Sequence, residues 1–318
     1  MNKIRFGLLG PGNIAATFAK AIKSCENAEL VAVASHNIEK AKAFADKFNI
    51  EKTYDSYDKL LNDKNIDAIY ISVINTHHLS VIEKCIENKK PILCEKPIVM
   101  SEKEIIHIQQ LQKDNDLLIM EAMWTIFLPV TQKTKQWINE KRIGDIKTSK
   151  SSFSFENHDF EGRLYKKDMG GGALFDVGVY TLSYSMYLID GNVSSQSSQL
   201  EYSKTRVDQK GQTILTFNNG VKATCRYAIS HEEAQDALIV GTKGSIEVKN
   251  FWKANKCTLF DNDGNILDEF IDEEELGFHH EIEHFANLVR NNKKQSDIMP
   301  LSRSQKCSRL FDEILTKY

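Results

Sequence analysis

The sequence predicts an α/β chain in two parts, an N-terminal doubly wound parallel sheet and then an α+β region with a mainly antiparallel open sheet and helices on one face. Three observations predict it. Near-continuous apolar runs of strand length alternate with helical stretches from Lys3 to Met120, a Gly-rich turn follows the first run directly, and turn-divided strand-like runs fill the chain from Thr148 onward. At 318 residues, 41% of them hydrophobic, the chain is long for one core and fills two. The expected domains are 1–122 and 123–318.

In order, strands are expected at 4–9, 30–35, 68–72, 92–94 and 117–120, with helices at 14–24, 39–47, 78–88 and 102–114. Strands that are apolar on both faces must be covered on both, which places helices above and below a parallel sheet. After Trp124 the character changes. A helix over 130–137 and an apolar helix running from Asp176 to Ile189 accompany strands at 148–155, 213–217, 222–229, 237–240, 245–248, 257–260 and 266–270. Asn218-Asn219-Gly220, Gly241-Thr242-Lys243-Gly244 and Asp261-Asn262-Asp263-Gly264 are turns suited to reversing an antiparallel strand. Two terminal helices gather Ile282, Phe285, Ala286 and Val289 on one face, and Cys307, Leu310, Phe311, Ile314 and Leu315 on another. Both faces read as packing surfaces.

Composition excludes several classes. Lys and Arg number 41 against 44 Asp and Glu, a formal charge of -3, which provides no basic field for nucleic acid. No apolar run approaches the roughly 20 residues that cross a bilayer, so a membrane is not expected as a partner. Residues 1–10 run straight into a turn without a hydrophobic leader or cleavage site and read as the first strand of a cytoplasmic protein. The six cysteines, at 25, 85, 94, 225, 257 and 307, form no CxxC pair; buried thiols are expected, with no disulfide framework and no metal site.

Gly10-Pro11-Gly12-Asn13-Ile14-Ala15 has the GxGxxA form between a strand and a helix, the context that a dinucleotide fingerprint requires. Gly10 permits the tight turn, Gly12 lets a pyrophosphate approach the backbone, and Ala15 keeps helix and strand close. Asn13 and Ile14 open a helix whose free amides and positive end suit phosphates. Plain packing is the competing use of such a turn. NAD is distinguished from NADP at the end of the second strand, where an acidic side chain would accept from the ribose 2'-hydroxyl. Here stand Ser35-His36-Asn37, with Lys40 one helical turn on. Ser35 can donate to a 2'-phosphate while His36 and Lys40 offer polar or positive contact, so NADP is favoured over NAD.

Lys96 follows the 92–94 strand at its C-terminal end, the edge that faces the ligand crevice in doubly wound sheets, and Pro97 stiffens the turn after it. Gly170-Gly171-Gly172 permits close backbone approach at a helix entry, and Asp176 and Tyr180 stand four apart on one face of the helix that follows. A tyrosine near an ammonium has its phenolate favoured and accepts a proton more readily near neutral pH. Asp176 is suited to orienting the substrate hydroxyl or the lysine. The bland alternatives are a surface lysine, packing glycines and a half-buried core aromatic.

Glu95-Lys96-Pro97 and the 170–180 segment GGGALFDVGVY, downstream of a GxGxxA turn, resemble the Gfo/Idh/MocA family of NAD(P)-dependent oxidoreductases. Val31-Ala32-Val33-Ala34-Ser35 and Met120-Glu121-Ala122-Met123-Trp124-Thr125 are similar to its dihydrodiol dehydrogenase and D-xylose 1-dehydrogenase branch. The resemblance implies that Lys96 is the active-site lysine, near nicotinamide and substrate oxygen, and that Tyr180 is the proton donor or acceptor. It implies that Asn75 and Glu95 line the nicotinamide side, that Trp124 stands beside nicotinamide and substrate, and that Phe153 and Trp252 are pocket aromatics. His78 is counted among the cofactor contacts, and the Lys96-Pro97 bond is expected to be cis. The implied activity is hydride transfer between a nicotinamide and a secondary alcohol or carbonyl of a sugar, polyol or trans-dihydrodiol. A homodimer or higher oligomer through the open face of the second sheet is implied as well. A redox-assisted glycoside hydrolase and a non-catalytic dinucleotide-sensing regulator are the rival readings. The chain departs from its branch at His36 and at Ile126, where arginine is usual in relatives, and substrate identity stays open.

Overall fold

The computed structural model describes residues 2–273 and 277–316. Contacts divide the chain into two compact units, Met1–Trp124 with Phe278–Ser308, and Thr125–Gly277 with Arg309–Tyr318.

The first unit is built on six parallel strands, β1 (Ile4–Leu9), β2 (Ala28–Ala34), β3 (Lys52–Tyr54), β4 (Ala68–Ile71), β5 (Ile92–Glu95) and β6 (Ile119–Ala122). Their spatial order, β3-β2-β1-β4-β5-β6, is the doubly wound one, with its reversal between β1 and β4. The crossovers carry α1 (Asn13–Ala21), α2 (Ile38–Phe48), α3 (Tyr57–Leu61), α4 (His78–Glu87) and α5 (Glu102–Asn115). Strands β4, β5 and β6 are buried at every position, as a sheet covered on both faces requires. Two elements lie outside the sequence expectation. Strand β3 is three residues with no apolar run, and α3 is a single short helix started by the Ser56 hydroxyl, which accepts from the Lys59 amide at 3.3 Å.

In the second unit eight strands form one sheet: β7 (Ile146–Ser154), β8 (Val193–Tyr202), β9 (Asp208–Phe217), β10 (Lys222–Ala228), β11 (Ala237–Gly241), β12 (Gly244–Val248), β13 (Lys256–Asp261) and β14 (Ile266–Ile271). The order is β14-β13-β12-β11-β7-β10-β9-β8, antiparallel except for the central β7–β10 pair, which is parallel. Along β7 and β10 one face buries Ser149, Ser151, Phe153, Ala223, Cys225 and Tyr227, while Lys150 and Arg226 on the other face are exposed. Helices α6 (Pro129–Asn139) and α7 (Val179–Leu188) belong to this unit, and nine of the ten residues of α7 are buried. A π-helical turn, Leu174–Gly178, runs into α7, where the sequence expectation was an uninterrupted helix.

Two helices close the chain, α8 (His279–Arg290) and α9 (Leu301–Leu315). The continuous 123–318 segment expected as one domain is interrupted, because Phe278–Ser308 returns to the first unit. The reason is apolar packing: α8 buries Ile282, Phe285 and Ala286, and the Phe285 ring stands 5.9 Å from that of Phe6 on β1. Val289, expected on the same face, is only half-buried.

Candidate active site

The C-terminal edge of the parallel sheet gathers most of the residues expected to bind a cofactor. Strand β1 ends at Gly10, whose φ of +91° and whose neighbours, Val73 Cγ1 and the Ser72 carbonyl within 2.9–3.1 Å of any added Cβ, admit only glycine. Gly12 differs: a Cβ there would meet nothing within 4 Å. The start of α1 carries no side-chain cap and no acid in its first turn, so its leading amides suit an incoming anion. An open glycine in front of an uncapped helix fits a dinucleotide pyrophosphate.

At the end of β2, Ser35 is buried and its hydroxyl accepts from the Asn37 amide at 3.2 Å. His36 is exposed, with its ring 4.4 Å from that of Tyr57, and Lys40 is exposed in the first turn of α2. Tyr57 stands on the unexpected α3 and carried no recognisable motif. The carboxylate of Glu39 pairs with Lys42 at 3.1 Å.

Asn75 opens a short 3-10 turn after β4, and His78 begins α4 with no exposed surface. Its Nδ1 lies 2.9 Å from the Pro97 carbonyl and its Nε2 3.0 Å from that of Val73. The ring thereby ties the loop after β4 to the turn after β5. The Lys96-Pro97 peptide is cis. Glu95 is 5% exposed; its carboxylate accepts from the Tyr70 hydroxyl and, at 3.2 Å, from the Lys96 amide. Tyr70 in turn stacks on Phe18 at 3.8 Å.

Two further carboxyls that the sequence reading did not single out share this core. Glu121 on β6 accepts from the Ile98 amide at 3.0 Å, and Glu281 on α8, with no exposed surface, has no hydrogen-bond partner on either oxygen among the described residues. Burial pushes Glu95 up to about 7, against the Tyr70 hydroxyl and the Lys96 charge, which pull it down. Burial likewise raises Glu121, with Ser304, the Ile98 amide and Lys96 opposing. Glu281 is driven furthest, by burial and then by the charges of Glu95 and Glu121. Three acids in one apolar core cannot all ionise. The donors to Glu95 and Glu121 favour their charged forms, while Glu281, with no donor among the described residues, is the member held most strongly in the neutral form. A glutamate inside the apolar β6 strand was the signal available for Glu121; Glu281 sits in a charged stretch that reads as a solvated face.

In the second unit the Gly-rich turn takes φ values of +68° at Gly170 and +122° at Gly172. Asp176 lies in the π-helical turn and its carboxylate takes the Arg163 guanidinium at 2.8 Å. Asp176 thus stands in the π turn and Tyr180 in the first turn of α7, rather than both in one uninterrupted α-helix. Tyr180 is 6% exposed, edge-on to Phe153 at 5.2 Å and to Trp252 at 6.5 Å between centroids. Phe153 and Trp252 are themselves stacked at 4.5 Å, and the Trp252 indole donates to the Gln235 side chain at 2.6 Å. Ile126, the position at which the resemblance implied an arginine, is fully packed at 1% exposure. Trp124, in the first unit, is half-buried with its ring 5.5 Å from that of Phe278.

Comparison with known proteins then decides the family. Residues 4–123 match the Gfo/Idh/MocA oxidoreductase family, NAD-binding Rossmann fold, and residues 131–247 match a Gfo/Idh/MocA C-terminal domain. A trans-1,2-dihydrobenzene-1,2-diol dehydrogenase of Danio rerio is 32% identical over 251 residues, 77% of this chain and 74% of its own. The chain belongs to the Gfo/Idh/MocA oxidoreductase family. Two further proteins match along nearly the whole chain. The dehydrogenase of the same name from Xenopus tropicalis is 29% identical over 320 residues, covering 98% of this chain and 97% of its own. KijD10, a 3-ketoreductase from Actinomadura kijaniata solved with NADP, superimposes with a TM-score of 0.90 at 22% identity, over 99% of this chain and 98% of its own. In this Gfo/Idh/MocA oxidoreductase residues 4–123 are accordingly an NAD-binding Rossmann fold, and the β1–α1 turn is its first strand-to-helix turn.

Proposed function

We propose that this Gfo/Idh/MocA oxidoreductase is an NADP-dependent dehydrogenase or reductase for a secondary alcohol or carbonyl of a sugar, polyol or trans-dihydrodiol. The observation that carries the reading is Tyr180, an ionisable hydroxyl set edge-on to the stacked Phe153 and Trp252 pair, on a helix entered through a Gly-rich turn. The aromatic pair suits the apolar face of a sugar or cyclic diol, and the tyrosine suits proton exchange with its oxygen. The relatives named dihydrodiol dehydrogenases favour the same substrate class.

Gly12 and the α1 amides would hold the pyrophosphate, and Ser35, His36 and Lys40 the ribose phosphate, which supports NADP over NAD. Asn75, Glu95, Lys96 and Trp124 would serve the nicotinamide side. When bound, the nicotinamide supplies the hydride acceptor or donor. In the oxidative direction Tyr180 takes the hydroxyl proton and the positive charge of Lys96 assists that transfer; in the reductive direction the same proton returns. Asp176, fixed by Arg163, orients the substrate hydroxyl. Cys25, Cys85, Cys94, Cys225 and Cys257, buried and in no disulfide among the described residues, fit a reducing, cytoplasmic setting. The exposed face of the eight-stranded sheet is assigned to a homodimer.

Absorbance at 340 nm with trans-dihydrodiols, aldoses and polyols tests the reading. Lys96→Met and Tyr180→Phe are each expected to lower kcat by about 10² or more, with the NADP dissociation constant changed by less than about threefold. Undiminished turnover in both variants removes them from the chemistry. Bound nicotinamide with glycoside cleavage and no net reduction would mark a redox-assisted hydrolase, and binding without any turnover a regulator.

A further inference from the structure

The structure assigns Asp208 as a positioning residue: from the start of β9 its carboxyl group clamps the Gly-rich turn, and thereby sets where the helix bearing Tyr180 begins. The inference rests on the reading of Tyr180 as the proton carrier. Asp208 is 3% exposed and its Oδ2 accepts from the Leu174 amide at 2.6 Å, across 34 residues of sequence. Its Oδ1 lies 2.3 Å from the place a Cβ would take at position 172, where φ is +122°, so glycine alone fits against it. From the opposite side the Gly171 amide donates to the Lys166 carbonyl and the Gly172 amide to the Leu164 carbonyl, both at 2.9 Å. A Cβ at Gly171 would strike the Leu164 and Arg163 carbonyls at 2.5–2.6 Å.

The turn is thus held between one backbone strip and one carboxyl. Ala173, the residue before the π turn, offers no side-chain cap, so Asp208 supplies the acceptor that the first amide needs. Tyr180 stands six residues beyond Leu174, in a helix buried on nearly every side. A slip at the entry would be passed along this close-packed helix to the Tyr180 ring and its contacts with Phe153 and Trp252.

Asp208 also titrates within the working range. Burial pushes its carboxyl up to about 7, with the Leu174 amide acting in the opposite direction. The groups facing it are that amide from the π turn, the Tyr227 phenol of β10, itself raised by burial, and Tyr202 of β8, its partner in the strand ladder. Among the described residues no cationic side chain is paired with it. An acid whose closed-state value exceeds its open-state value loses its hold as pH rises, so opening of the turn is expected to grow easier from about pH 4 to about pH 7 and then level off.

The experiment is hydrogen exchange of the segment 172–180 in the full chain, with protection corrected for intrinsic exchange, beside steady-state kinetics. Asp208→Ala is expected to lower protection and kcat by about tenfold each, with the NADP dissociation constant unchanged, and Asp208→Asn, which keeps an acceptor oxygen, to restore most of both. Asp208→Asn is further expected to abolish the decline of protection between about pH 4 and 7 seen in the parent. Exchange needs no substrate, so a wrong substrate class leaves this arm intact. Parent-like protection in Asp208→Ala, lost protection with parent-like kcat, or an unchanged pH dependence in Asp208→Asn would each overturn the assignment; if Asp208→Ala does not fold, the Asn arm alone decides.

Discussion

Two glycines of one turn behave oppositely when a methyl group is imagined on them. At position 10 it strains a left-handed backbone and runs into Val73 and the Ser72 carbonyl; at position 12 it enters open space. Gly10→Ala is therefore expected to cost about 2 kcal/mol of folding stability, and Gly12→Ala less than about 1 kcal/mol. Cofactor affinity reverses the ranking of concern: Gly12→Ala should weaken NADPH binding by about tenfold or more in a fluorescence titration, because the methyl takes the room the pyrophosphate requires. Urea melts and that titration together check the pair, and tight binding by a stable Gly12→Ala protein would refute the role given to the turn. These two glycines were legible in the sequence because a fingerprint names a backbone need. Tyr57 beside His36 was not, since it comes from a short helix with no periodic signature. That two backbone carbonyls engage the His78 ring was likewise not legible, because those contacts join separate loops.

Helix α8 brings an acid into the core of the first unit, and the protons there have a measurable consequence. Glu281 is raised well above its ordinary value of 4.5 by burial and by Glu95 and Glu121, so the native state keeps a proton that the unfolded chain releases. With the folded value above the unfolded one, the stability this group contributes is present below about pH 4.5 and is lost as pH rises. Each proton so retained gives a slope of about 1.4 kcal/mol per pH unit. Glu281→Gln should remove one such slope between about pH 5 and 7, read by urea unfolding at both values; parallel curves for parent and variant would show that Glu281 does not hold the proton. At this scale the apolar strands β1, β2, β4 and β5 were legible from pattern, and the Gly-rich turn from composition. Strand β8 was hidden because Val193-Ser194-Ser195-Gln196-Ser197-Ser198 is polar on both faces, which an edge strand tolerates. The π turn was hidden because no residue preference marks a five-residue repeat within an apolar helix.

Over the whole molecule, the exposed face of the eight-stranded sheet is the surface expected to pair two copies. Leu238, 38% exposed and opposite Lys150 in the β11–β7 ladder, gives it an apolar point. Sedimentation equilibrium should return twice the chain mass, and Leu238→Asp should shift the population toward single chains; a monomeric parent would refute the assignment. The two-unit division was legible, but its seam was not, because the packing of Phe285 on Phe6 joins residues 279 positions apart and periodicity reports only neighbours along the chain. That long return orders events during synthesis. When Trp124 leaves the ribosome, the nucleotide-binding half still lacks α8, and the stretch Thr125–Gly277 must be translated first. At about 5–20 residues per second this wait lasts on the order of ten seconds. Through that interval Phe6, though packed on Phe18 of α1, lacks its Phe285 neighbour, a hydrophobic opening that favours chaperone engagement and makes the last helices, rather than the first strands, the moment at which the cofactor half is completed.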